Sequence, residues 1–171
     1  MESEAAERIL DIQTGLDGIR WTPFDNLHLT LCFLGGVDRH LLEDVDTILT
    51  GIKIPTFDLE LSGSGSFGRG PRQSVWVGTS RNPNLLQLQE KVENACRRAG
   101  ASVENRKFVP HVTVGRMGRV SQEAVTGWVS RHSLFKATPF TVETFHLYES
   151  TLSKSGAHYE PIADYPLSFS R

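Results

Sequence analysis

The stretch LHLTLCFL at residues 27–34 and the stretch VPHVTVGR at residues 109–116 carry the same short pattern, a histidine and a threonine two residues apart among branched apolar residues. Such runs are typical of β-strands. Because alternate side chains of a strand point to opposite faces, the histidine and the threonine of each stretch share one face, while their apolar neighbours occupy the other. We therefore expect two strands that each line an apolar core and present one histidine and one threonine on the polar face.

These two stretches belong to a longer internal repeat. The offset that aligns His28 with His111 also aligns further identical residues, namely Thr30 with Thr113, Gly35 with Gly118, Phe57 with Phe140 and Glu60 with Glu143. Each copy runs through a strand, a glycine turn, an amphipathic helix and a strand that begins with phenylalanine. Two copies are too few for a solenoid and predict a pseudo-two-fold pair of lobes. We expect the polar faces of the two copies to meet across a central cleft.

The remaining patterns predict a mixture of helices and strands in a single bilobal domain over residues 1–171. Helical spacing and capping residues predict helices over residues 5–16, 38–49 and 84–99, and a fourth helix that begins after Ser121. Alternation and β-branched runs predict further strands over residues 57–67, 74–79, 140–150 and 158–169. No low-complexity linker divides the chain, so no domain boundary is expected within it.

Composition restricts the class of protein. The 171 residues carry 18 basic and 20 acidic side chains, a net charge of −2, so any contact with nucleic acid must be local rather than driven by bulk charge. Two cysteines, Cys32 and Cys96, are too few for a disulfide framework, and we expect reduced thiols. No apolar run approaches the roughly 20 residues that cross a bilayer, and the acidic N-terminus is unlike a secretory signal. We therefore expect no membrane contact and a cytoplasmic location.

The paired histidines and threonines suit chemistry at phosphorus. Two imidazoles, with ordinary pKa values of about 6.5, can supply one base and one acid near neutral pH. Such a pair can deprotonate an attacking group on one side of a phosphate and protonate the leaving oxygen on the other. The hydroxyls of Thr30 and Thr113 can donate hydrogen bonds to the non-bridging oxygens. Neither motif contains a carboxylate, so we expect no metal ion or other cofactor beside His28 and His111.

The paired motifs resemble those of a known family. HLTL at 28–31 and HVTV at 111–114 resemble the paired H-x-T-x motifs of the 2H phosphoesterase superfamily, and in particular its RNA 2′,3′-cyclic phosphodiesterases, first described as 2′-5′ RNA ligases. Further similarity covers RWTPFDNLHLTLCFLG at 20–35, FGRGPRQSVWVG at 67–78 and FVPHVTVGR at 108–116. The resemblance therefore extends over nearly the whole chain.

The resemblance implies a fold, a reaction and roles for the site residues. The fold would be α+β, with two pseudo-symmetric lobes of antiparallel sheet and flanking helices around a central cleft. The reaction would be the hydrolysis of a terminal 2′,3′-cyclic phosphate of RNA to a 2′-phosphate. His28 would donate the proton to the leaving oxygen and His111 would accept the proton of water, although the pseudo-symmetry leaves the reverse assignment open. The expected partner is an RNA or oligonucleotide with a cyclic phosphate end, and we expect a monomer.

Other side chains are less clearly placed by the sequence. Arg116 can contact phosphate or ribose, but strict alternation puts it on the face opposite to His111 unless Gly115 forms a bulge. Phe33 and Trp76 can stack on a base, yet both lie in apolar runs and are expected in the core.

Two other functions are compatible with these motifs. The first is a 2′-5′ RNA ligase or 2′-5′ phosphodiesterase, and the second is a non-catalytic nucleotide-binding module. Members of the family usually begin with a short apolar strand, whereas this sequence begins with a helix. From that difference we expect an exposed sheet edge and weaker packing beside His28.

Overall fold

The computed structural model describes residues 3–118, 120–153 and 156–168. Its α-helices, in chain order, are α1 (Ser3–Leu10), α2 (Arg39–Leu49), α3 (Pro83–Ala99) and α4 (Gln122–Arg131). Its strands are β1 (Ile19–Trp21), β2 (Phe57–Leu59), β3 (Leu61–Phe67), β4 (Ser74–Thr79), β5 (His111–Met117), β6 (Phe140–Val142), β7 (Thr144–Ser153) and β8 (Gly156–Pro166). The β1–β5, β3–β4, β4–β5 and β7–β8 pairs are antiparallel, so the prediction of an α+β fold with antiparallel sheets is confirmed.

Three of the four helices begin where the sequence predicted, because a short polar side chain caps each of them. The side chain of Asp38 accepts a hydrogen bond from the Leu41 amide at the start of α2, over 2.9 Å. Asn82 caps α3 and Ser121 caps α4 in the same way. Each cap satisfies a backbone N–H that has no partner within its helix. The first helix differs from its prediction, since α1 ends at Leu10 rather than continuing to residue 16.

The described residues divide into two compact units, each assembled from three separate segments. The first unit comprises residues 1–30, 59–81 and 109–140, and the second comprises residues 31–58, 82–108 and 141–171. The boundaries between the units do not follow the sequence repeat. Both histidine–threonine motifs belong to the first unit, and each copy of the repeat contributes residues to both units. Each copy of the repeat is therefore divided between the two units.

The first unit is built on a four-stranded antiparallel sheet in the order β1-β5-β4-β3. Apolar side chains on one face of this sheet pack with those of α1 and α4. This shared core includes Val75, Val77, Val112 and Val114 of the sheet, Ala5 and Ile9 of α1, and Val125 and Trp128 of α4. The indole N–H of Trp128 donates to the Ile12 carbonyl, so this large buried ring keeps a polar partner. The opposite face of the sheet carries the two motifs.

The predicted strand over residues 27–34 is not a regular strand. Its pairing with β5 is one isolated bridge, between Leu29 and Val112. The alternation of apolar residues extends to Phe33, whereas the boundary between the two units falls after Thr30. The bridge to β5 does not continue into a regular ladder, although the side-chain pattern continues.

The second unit contains α2, α3 and the long hairpin of β7 and β8. Strands β2 and β6 form a further two-stranded sheet, and most of their residues belong to this unit. Helix α3 ends at Ala99 and is followed by Gly100, whose φ of +100° is the left-handed conformation that favours glycine. Cys32 and Cys96 are free, and their thiols are hydrogen-bonded to each other. Residue 169, the predicted end of the last strand, lies outside the described residues.

Candidate active site

The two motifs lie side by side on the first unit. Leu29 forms an antiparallel bridge with Val112, so the histidine of each motif lies next to the threonine of the other. Val112 is fully buried and Leu29 packs against the same core, which directs the four polar side chains to the opposite face. The two histidine–threonine pairs are therefore neighbours within the first unit. The four residues share one face of an antiparallel pair.

Both imidazoles are anchored in the same way. The Nδ1 atom of His28 lies 2.7 Å from the carbonyl oxygen of Asn26, and Nδ1 of His111 lies 2.6 Å from that of Val109. A carbonyl oxygen can only accept a hydrogen bond, so Nδ1 carries the proton in each ring and donates it. Nε2 is therefore the ring nitrogen at which each imidazole can gain or lose a further proton. A contact to the residue two positions earlier fixes both the tautomer and the orientation of the ring.

The electrostatic environment of His28 lowers its pKa below the ordinary value. The largest cause is the loss of water around the imidazole, which remains accessible but is flanked by protein atoms. The positive charges of Arg116 and His111 act in the same direction, and the hydrogen bond to the Asn26 carbonyl acts against them. The effects of Arg116 and His111 on this pKa place the three residues in one electrostatic neighbourhood.

A bulge in β5 places Arg116 on the same face as the motif. Trp76 of β4 pairs with Thr113, and the residue before Trp76 pairs with Gly115, so Val114 has no partner on β4. An extra residue of this kind reverses the alternation that follows it. The exposed side chain of Arg116 therefore joins the polar face, which agrees with its effect on the pKa of His28. The sequence required a bulge near Gly115 for Arg116 to share the face of His111, and the structure contains that bulge.

An aromatic cluster lies beside His111. The ring of Phe67 meets the imidazole edge-on, with centroids 4.9 Å apart and an interplanar angle of 83°. The ring of Trp76 lies 5.0 Å from Phe67 and 5.9 Å from His111. Trp76 is half-buried on the polar face, so the expectation that it belongs to the core is wrong. Phe33, also expected in the core, is 66% exposed and belongs to the second unit.

Phe67 was missed by the sequence reasoning. Its position beside His111 depends on the pairing of β3 with β4, in which Phe67 lies opposite Ser74. That pairing joins residues that the local pattern does not connect. The sequence shows Phe67 only as an aromatic residue at the end of a Gly-Ser strand. That position does not indicate which residue Phe67 contacts.

Among the described residues, no three histidine, cysteine, aspartate or glutamate side chains are grouped so that they could hold a metal ion. The same residues include no helix with the length and apolar content that crossing a bilayer requires.

Comparison with known proteins places this fold and these motifs in a family. The family model of the 2′-5′ RNA ligase superfamily matches residues 2–153. The chain belongs to the 2′-5′ RNA ligase superfamily. The resemblance inferred from the paired H-x-T-x motifs is thereby confirmed.

Two curated relatives of this superfamily member carry the same name. The RNA 2′,3′-cyclic phosphodiesterase of Thermotoga maritima is 30% identical over 165 residues, which cover 94% of this chain and 86% of the relative. The RNA 2′,3′-cyclic phosphodiesterase of Escherichia coli is 31% identical over 151 residues, covering 84% and 77%. The crystal structure of E. coli LigT complexed with 3′-AMP superimposes with a TM-score of 0.80 and 26% identity, covering 98% of this chain and 94% of LigT. The prediction of a LigT-like fold is confirmed.

Proposed function

We propose that this member of the 2′-5′ RNA ligase superfamily hydrolyses the terminal 2′,3′-cyclic phosphate of RNA to a 2′-phosphate. The observation that carries the proposal is the arrangement of two anchored imidazoles and two threonine hydroxyls on one face of adjacent backbone segments. The substrate class is supported by relatives that are named RNA 2′,3′-cyclic phosphodiesterase.

In this proposal the two histidines carry out one displacement at phosphorus. The oxygen of water attacks phosphorus while its proton passes to Nε2 of His111. The bond between phosphorus and the 3′ oxygen breaks, and Nε2 of His28 gives its proton to that oxygen. The phosphate remains on the 2′ oxygen. Water and the ester bond are consumed, and both histidines are left in exchanged protonation states that solvent restores.

The remaining polar groups act on the charge of the phosphate. The hydroxyls of Thr30 and Thr113 donate hydrogen bonds to the non-bridging oxygens, on which negative charge increases as the new bond forms. The guanidinium of Arg116 adds a positive charge to the same face, and arginine matches the geometry of phosphate oxygens. These groups require no metal ion to neutralise the phosphate.

The environment of His28 agrees with its role as the proton donor. A lowered pKa makes the imidazolium a stronger acid, which favours transfer of its proton to the leaving oxygen. In the free protein the loss of water around the ring and the charge of Arg116 disfavour the imidazolium. The negative charge of a bound phosphate favours the protonated form. The matched anchoring of the two rings leaves the reverse assignment as the alternative, and the pH dependence of single variants separates the two.

The test is product analysis on an RNA oligonucleotide that ends in a 2′,3′-cyclic phosphate, with EDTA present. We expect a 2′-phosphate, and a fall in kcat/KM of about 10²–10⁴-fold for His28→Ala and for His111→Ala. His40→Ala is the matched control, since His40 is an exposed histidine of α2 outside both motifs. A 3′-phosphate product, or wild-type rates in either motif variant, would refute the proposal.

The same site can accept a 5′-hydroxyl in place of water, which would give a 2′-5′ linkage. Adding an oligonucleotide with a free 5′-hydroxyl to the assay measures this reaction directly. We expect hydrolysis to dominate, and a dominant ligated product would favour the ligase function. Absence of turnover together with nucleotide binding would favour a binding module. The cytoplasmic location and the monomeric state stay predictions from the sequence.

A further inference from the structure

Two arginines lie opposite each other at one end of the site. Arg20 of β1 pairs in register with Arg116 of β5. The residues on either side of Arg20, Ile19 and Trp21, pack against the core, so Arg20 points to the other face. A Cβ built at Gly115 would lie 2.3 Å from Ile19 and 2.9 Å from Trp21, which places Gly115 on the core side and Arg116 on the polar face. Both guanidinium groups therefore lie on the face that carries the motifs.

The Arg20–Arg116 pair brings two like charges together on neighbouring strands. Like charges directly opposite each other on neighbouring strands destabilise the pair. In the described part of the chain, neither Arg20 nor Arg116 forms an ion pair with a carboxylate. By contrast, Arg8 of the same unit is paired with Asp11 over 2.9 Å. Both arginines of the pair are exposed, so they are available to an anion from solution.

The pair continues the motif face along the sheet. Arg116 also pairs with Ser74 of β4, while Thr113 pairs with Trp76. Ser74 and Trp76 are two residues apart, so the row of the arginines lies about 7 Å along the strand from the row of Thr113 and His28, the nearer of the two rows of the motif. A ribose joins its 3′ and 5′ phosphates over a similar span, and the long aliphatic stems of the arginines extend their guanidinium groups further. An RNA strand whose last phosphate lies between the histidines can therefore place its preceding phosphate within reach of the guanidinium groups.

We propose that Arg20, together with Arg116, binds the internucleotide phosphate that precedes the terminal nucleotide of the RNA. This inference rests on the proposed function, because it takes the position of the terminal cyclic phosphate from that reaction. Arg20 thus favours an oligonucleotide over a mononucleoside cyclic phosphate, which has no preceding phosphate. Two cations without carboxylate partners give this position a preference for an anion, and the planar guanidinium suits phosphate oxygens.

The test compares Arg20→Gln with the wild type on two substrates. One is a nucleoside 2′,3′-cyclic monophosphate, and the other is a trinucleotide that ends in a 2′,3′-cyclic phosphate. We expect the KM for the trinucleotide to rise about tenfold with kcat unchanged, as loss of one charge-assisted contact implies. We expect kcat and KM for the nucleoside cyclic monophosphate to stay within about twofold of the wild-type values. Arg8→Gln removes the same charge from the same unit and serves as the control.

Two further readouts separate phosphate binding from a merely structural role. The slope of log KM for the trinucleotide against log salt concentration should decrease by about 0.7 in Arg20→Gln, the value for one phosphate contact to a single strand. Fluorescence anisotropy measures the binding of a trinucleotide that ends in a 3′-phosphate. Its Kd in Arg20→Gln should rise by the same factor as KM. Thermal unfolding should show Arg20→Gln to be at least as stable as the wild type, because the variant removes a like-charge pair.

Equal losses on both substrates, or no loss on either, would overturn the assignment of Arg20. An unchanged salt slope would also overturn it. These results differ from a failure of the proposed function, in which the wild-type protein itself would turn over neither substrate.

Discussion

Replacing Gly65 by alanine places a methyl group inside the space that the Trp76 ring occupies. The added Cβ would lie 2.2 Å from Cζ2, 2.4 Å from Cη2 and 2.7 Å from Cε2 of that ring. The φ angle of Gly65 is not positive, so alanine can adopt the backbone conformation and the strain is confined to the contact with Trp76. The indole must therefore move away from the sheet, and it lies against both Phe67 and His111.

Two effects of Gly65→Ala follow from this movement. Overpacking of this kind costs about 1–3 kcal/mol, so the free energy of unfolding in urea should decrease by that amount. The displaced indole also disturbs the imidazole of His111. Because a misplacement of about 1 Å can cost about 10²-fold in rate, we expect kcat/KM for the cyclic phosphate to decrease between about tenfold and a hundredfold. Gly36→Ala is the control, since a Cβ at Gly36 has no atom within 4 Å.

A second substitution tests whether Trp76 transmits the effect. Trp76→Phe removes the six-membered ring of the indole, which contains the atoms that the new methyl group would meet. In that background Gly65→Ala should lose most of its cost in unfolding free energy, which gives a coupling of about 1–2 kcal/mol in a double-mutant cycle. The reasoning is refuted if Gly65→Ala costs nothing, or if it costs the same in both backgrounds.

Three further predictions follow from charges and caps. Arg116→Gln should raise the pKa of His28 in an NMR titration because it removes a neighbouring cation, and an unchanged or lower pKa would contradict the shared neighbourhood. The pKa of His28 is lower in the folded protein than its unfolded value of about 6.5, so the stability of the wild type relative to His28→Gln should be greatest above that pH and decrease as the pH falls below it. Urea unfolding at two pH values measures this, and a pH-independent difference would count against it. Asn82→Ala removes the cap that the Leu85 amide uses and should cost about 1 kcal/mol in unfolding free energy, whereas no loss would show that the cap is replaced.

The features that the sequence predicted well depend on local chemistry. The N-caps Asp38, Asn82 and Ser121 bind amides three residues away, so a short window contains both partners. The motif residues His28 and His111 were found because the repeat supplied the same signal twice. Their anchoring is local as well, since each Nδ1 uses the carbonyl two residues earlier.

The features that the sequence could not predict depend on pairing between distant segments. The bridge between Leu29 and Val112 places the motifs side by side, and no pattern within either motif specifies that partner. The side of the sheet on which Arg116 lies depends on the unpaired Val114, which is defined only by the register with β4. Phe67 reaches His111 for the same reason, through the pairing of β3 with β4.

The extent of the first motif strand shows how a correct side-chain pattern can mislead. Residues 27–33 alternate as a strand does, but the segment is joined to β5 by one isolated bridge, between Leu29 and Val112, rather than by a ladder. The pattern reports which side chains are apolar and does not specify the backbone partner of the segment.

The most direct measurement of the central claim is kcat/KM for hydrolysis of an RNA 2′,3′-cyclic phosphate by His28→Ala, His111→Ala and the double variant. If both imidazoles act in one displacement at one phosphorus, each single variant loses about 10²-fold or more, and the double variant is little slower than the slower single variant. A single variant that keeps the wild-type rate, or a double variant in which the two losses multiply in full, would contradict a joint action of the two histidines.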